Sequence, residues 1–139
     1  MATVTLNATN SGGVTITLAS LANGSSAVSS AIDNSTNKYV GAVIRVKVKT
    51  NAAGTSATGL VTVYLVRSTD GGTDYSDNLD QLIGTIAAVA NATTYARAFY
   101  VEPLGTHWKV AVLNSSGAAL DSTGGNHEVE FTGVKYDVS

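Results

Sequence analysis

The chain of 139 residues has the length of one domain, and without cysteine it can hold no disulfide framework, thiolate nucleophile or cysteine zinc site. Only 13% of its residues are charged, against about 25% in typical soluble domains, and Thr, Ser, Asn and Gly take up the difference. The net charge is −2 and nothing in the chain resembles the basic stripe of a nucleic-acid binder, so no nucleic-acid partner is expected.

The first residues, MATVTLNATN, carry neither a charged n-region nor a continuous apolar stretch. No signal peptide is expected, and synthesis in a cytoplasm is. Asn-X-Ser/Thr sequons at Asn7, Asn23, Asn34, Asn91 and Asn114 are accordingly expected to be unmodified. The longest apolar window, 83–90, falls far short of the roughly 20 residues of a membrane helix, so no membrane partner is expected.

Apolar and polar residues alternate with a period of two along most of the chain, the signature of half-buried strands. Val4 and Leu6 alternate with Thr3 and Thr5, and Val14, Ile16 and Leu18 with Thr15 and Thr17. Residues 1–13 read equally as a first strand or as an N-terminal arm that swings on the Gly12–Gly13 pair. A weaker segment ends at Ile32. Residues 39–50 give the strongest pattern, with Val40, Ala42, Ile44, Val46 and Val48 on one face and Arg45, Lys47 and Lys49 on the other. That basic row reads as a solvated strand face.

Residues 60–67 are apolar on both faces, which predicts a central strand. Strands over 82–89 and 93–101 follow, and Pro103 ends the second. Trp108, Val110 and Val112 share one face of the next strand. The last strand spans 127–138; its apolar set moves from Val129 and Phe131 to Val134, Tyr136 and Val138, which predicts a β-bulge near Gly133. The pattern predicts an all-β fold: one antiparallel β-sandwich over 1–139, a jelly roll of eight or so strands, with a small barrel as the alternative.

Signs of catalysis are sparse. His107 and His127 are the only histidines, and neither stands at metal-ligand spacing. No Gly-X-Ser-X-Gly elbow is present. Glu128 and Glu130 share a strand face at a spacing that could suit a glycosidase pair, but they read better as partners of Arg45, Lys47 and Lys49 across the sheet. Asp70, Asp74, Asp77 and Asp80 form the one acidic loop and a weak calcium candidate, without the spacing of an EF-hand. Neither Gly71–Gly72 nor Gly124–Gly125 sits where a phosphate cradle would. No enzyme activity and no cofactor are expected.

The stretches VYLVRSTDGGTDYSDNLDQLIGTIAAV (63–89) and VLNSSGAALDSTGGNHEVEFTGVKYDV (112–138) carry a resemblance. Its elements are a strand running into Arg67, Ser68, Asp70, Gly71 and Gly72; then Asn78 to Gly84; then Asn114 and Ser116 to Leu120; and a closing Asn126, His127, Val129 and Phe131. These segments resemble small virion proteins of tailed bacteriophages, of the jelly-roll or β-sandwich kind that decorate or cement capsids. The resemblance implies a structural protein on the outer capsid surface that bridges shell subunits. Its partners would be the major capsid protein and itself, as a dimer or trimer; a tail-associated role is compatible. The alternative is a carbohydrate-binding β-sandwich module. That reading needs exposed aromatics, which only Trp108, Tyr75, Tyr95 and Tyr100 are expected to supply, and Trp108 shares the phase of core residues.

Overall fold

The structure, a computed structural model, describes residues 3–68, 70–79 and 81–138, with the backbone alone for residues 6–11. Nine strands are described: β1 (Val4–Gly13), β2 (Ser26–Val28), β3 (Ile32–Asp33), β4 (Gly41–Lys49), β5 (Leu60–Ser68), β6 (Gln81–Ala87), β7 (Thr94–Val101), β8 (His107–Ser115) and β9 (Glu128–Val138). The only helical piece among the described residues is a 3-10 turn, Gly124–Asn126.

One sheet has the order β1-β9-β4-β7; the other runs β2-β8-β5-β6, with β3 also on β8. All pairings are antiparallel. Taking β2 and β3 as one interrupted strand leaves eight, ordered 1-8-3-6 over 2-7-4-5. This is the jelly-roll arrangement, so the predicted sandwich is the observed one.

The alternation of β4 and β5 produces the core. Ile44, Val46 and Val48 from one sheet meet Val61, Val63 and Leu65 from the other, all at or near zero exposure. Trp108 lies fully buried among them, its ring edge-on to Phe131 at 5.1 Å and 85°. β5 runs between β8 and β6, the central place that its two apolar faces require.

Two expectations need correction. Residues 14–18 are not a strand, although Val14 and Leu18 are buried and Thr15 and Thr17 exposed as the alternation implies. The segment bonds to the rest of the fold at isolated points: Val14 N–H donates to Val129 O, and Thr15 O accepts from Ser30 N–H. Nor does β9 bulge at Gly133. Its register with β4 runs unbroken from Lys47↔Glu128 to Gly41↔Val134. The irregularity falls in the neighbouring strand, between Asn7 and Asn10 of β1. Of residues 1–13, read as either an arm or a strand, 4–13 form the edge strand β1 on β9, and residues 1 and 2 lie outside the described residues.

Candidate functional site

Because β9 is regular, Val129, Phe131 and Gly133 face the core and Val134, Tyr136 and Val138 face outward. The apolar shift in the sequence is thus a real apolar patch on the outer face of the β1-β9-β4-β7 sheet. Val134 is only 4% exposed yet lies outside the core cluster, while Tyr136 and Val138 are 59% and 69% exposed. On β4, Val43 lies on the same face, opposite Tyr100 of β7, and Tyr100 is 52% exposed.

Gly41 makes room for Tyr100. A Cβ at Gly41 would stand 2.7 Å from the Tyr100 hydroxyl and 3.0 Å from its Cζ, so the phenol tip lies over bare backbone. The hydroxyl donates to Glu102 Oε2 at 2.9 Å. That bond, with the Glu102 charge and the nearby Tyr136, holds the phenol above its usual titration range, and it stays protonated at neutral pH. The result is a tyrosine fixed on the sheet surface with a carboxylate at its rim.

A groove of about 480 Å3 adjoins this shelf at the end of the sandwich. Val40 and Pro103 line it, and they are the chain neighbours of Gly41 and Glu102. Buried Asn34 ties its two walls together. The side-chain amide donates to Tyr39 O and Gly105 O, both at 2.9 Å, and the side-chain carbonyl accepts from Tyr39 N–H at 2.8 Å. Arg67 adds a bond from Nη1 to Pro103 O at 2.7 Å. Lys38, at φ 54°, is exposed on the rim. A rigid, mostly apolar groove with a few polar groups at its edge is the usual form of a small-molecule site.

The other aromatics expected for ligand contact are committed elsewhere. Trp108 is core, the half-buried Tyr75 ring lies 3.9 Å from Lys109 Nζ, and the hydroxyl of half-buried Tyr95 accepts from Ala90 N–H. Tyr136 was not among the expected contacts, and it is the most exposed tyrosine at the shelf.

The remaining candidates serve the fold. His127 lines a second cavity of about 330 Å3 at the opposite end of β9, but both ring nitrogens are engaged. Nδ1 accepts from Lys49 N–H, which leaves Nε2 to donate to Asp121 O at 2.8 Å. His107 Nε2 lies 3.5 Å from Asp33 Oδ1. Glu128 and Glu130 flank one guanidinium nitrogen, Arg45 Nη1, at 3.5 and 3.4 Å. Asp70 Oδ1 accepts from Ser68 Oγ, Thr73 N–H and Asp74 N–H, so it organises its own turn. Asp80 lies outside the described residues, and among those described no three acidic or histidine groups gather as metal ligands.

No family model matches the chain, and no curated protein matches it. Solved structures that match the chain include a family 35 carbohydrate-binding module from an environmental isolate, at 12% identity over 96% of this chain and 80% of that one, TM-score 0.43. The CBM22-1 and GH10 modules of Clostridium thermocellum xylanase 10B, complexed with xylohexaose, match at 11% identity over 96% of this chain and 25% of that one, TM-score 0.45. The C-terminal domain of EclA, a sugar-binding protein, matches at 9% over 99% and 79%, TM-score 0.35.

Proposed function

We propose that this domain binds carbohydrate, without chemistry, at the shelf of Tyr100 and Tyr136 and in the adjoining groove. The observation that carries the reading is the pair of exposed tyrosines on one sheet face beside a rigid groove, with Glu102 at the rim. A sugar ring presents apolar C–H faces and a rim of hydroxyls. The tyrosines supply flat apolar surface with little side-chain entropy to lose, Glu102 accepts hydroxyl hydrogens and Lys38 donates. The test is a glycan array, then calorimetry of each hit with Tyr100→Ala and Tyr136→Ala. Each variant is expected to lose at least tenfold in affinity. An array without a hit, or a hit indifferent to both changes, overturns the reading.

A second reading is the structural virion protein that cements a capsid. It is favoured by the segment DNLDQLIGT, where Leu79 and Leu82 are exposed. Counting the protein against the major capsid protein in purified virions of its source decides it: hundreds of copies support decoration, and none removes it.

A further inference from the structure

We infer that two copies of this chain pair through β1, antiparallel about a two-fold axis at Thr5, into one continuous eight-stranded sheet. The two sheets of the sandwich have four lateral edges, and the fold treats them differently. At β6 and β7 the edges close on one another: Arg97 Nη1 donates to Thr85 O at 2.6 Å, and the Phe99 ring fills the space above Gly84. The β2–β3 edge is broken into strands of three and two residues, and between them Ser30 N–H is taken by Thr15 O. β1 differs. It is ten residues long, pairs with β9 on one side, and has no strand on the other among the described residues.

Every second backbone N–H and C=O of such a strand points away from its neighbour. Exposed edges are ordinarily protected by lysine, proline, inward charge or a bulge; β1, VTLNATNSGG, has no charge and no proline, and its one irregularity lies beyond Asn7, which leaves Val4–Asn7 unprotected. It therefore brings no like charges together when it meets itself. Beside it, Val4 and Val138 are opposite one another on the outer face and are 62% and 69% exposed. Pairing would extend the sheet across this apolar margin.

Symmetry fixes the register. Opposed residues in an antiparallel ladder point to the same face, so a two-fold normal to the sheet sets each residue opposite one of equal parity. The bulge between Asn7 and Asn10 leaves Val4–Asn7 as the regular run beside Val138. The midpoint of this run falls between Thr5 and Leu6; an axis on Leu6 would set Val4 opposite residue 8 inside the irregularity, whereas an axis on Thr5 keeps every pair clear of it and places Thr5 opposite Thr5 of the second copy, a favourable cross-strand pair. Pairing also brings two tyrosine shelves onto one surface, although it does not depend on what the shelf binds.

The test is sedimentation of the full chain together with three variants. Wild type is expected at twice the 14.1 kDa of one chain, and Thr5→Lys, at an exposed position, at the mass of one chain with an unchanged circular dichroism spectrum. Because the chain has no other cysteine, Thr5→Cys is expected to cross-link on oxidation, whereas Thr94→Cys on β7 does not. A wild type that is monomeric at every soluble concentration overturns the proposal, as does a dimer that survives Thr5→Lys or fails to cross-link through Thr5→Cys. If Thr5→Lys does not fold, hydrogen exchange of the wild type decides: β1 amides that gain protection with concentration support the pairing, and concentration-independent exchange removes it.

Discussion

The ring of Tyr39 lies against the backbone of Gly133, closer than any real Cβ would permit. Here the inward positions of β9 lose their apolar side chain, because Tyr39 already fills the space. Gly133→Ala must displace a buried ring. It is expected to cost about 1–3 kcal/mol, as overpacking of a core does, read as a lower urea midpoint with an unchanged slope.

Asn34→Ala should be as costly for a different reason. It removes three buried hydrogen bonds at once, to the Tyr39 N–H, the Tyr39 C=O and the Gly105 C=O, a loss of about 1–3 kcal/mol. Hydrogen exchange should quicken at Tyr39 and in residues 103–106, and glycan affinity should fall as the groove walls part.

Tyr100→Phe separates the ring from its hydroxyl. The bond is solvent-exposed, so its loss should weaken glycan binding by no more than about tenfold. Calorimetry beside Tyr100→Ala reads the difference. If Phe is as damaging as Ala, the Glu102 contact matters more than the ring.

Stability should fall in acid through Asp121. Its carboxylate accepts from Asn126 Nδ2 and from Thr123 N–H, with Lys49 and His127 nearby, and is held below its ordinary value of 3.8. The unfolded chain therefore takes up the proton first. The stabilisation is complete above the ordinary carboxylate range and is lost as pH falls through the lowered native value. Asp70, lowered by bonds from Asp74 N–H and Ser68, acts in the same direction. Melting temperatures between pH 6 and pH 2 should drop less steeply for Asp121→Asn than for wild type.

Much of this was legible in the sequence where one strand face is buried. β4 and β5 declare themselves because each inward residue meets the opposite sheet, and the doubled apolar pattern of β5 encodes its central place. Residues 14–18 show what alternation leaves out: it records burial, and it does not say whether a neighbouring strand lies alongside. Tyr136 was missed for a related reason. A change of phase looks the same in one chain whether the backbone slips by a residue or the apolar residues pass to the outer face. The groove had no local signature at all, since Asn34 and Gly105 stand 71 positions apart and meet only in the folded chain.

The antiparallel pairing of β1 with β9 sets Val4 opposite Val138, so the two described ends of the chain leave the domain at one corner. Any sequence appended to either end, or a tether at both, would emerge there. The order of the strands could then be rewritten without disturbing their contacts: a short linker closes the ends, and a cut in the exposed loop at residues 70–79 opens new ones. Such a circular permutant would keep every ladder of the sandwich while moving the point of attachment from the β1 edge to the opposite sheet.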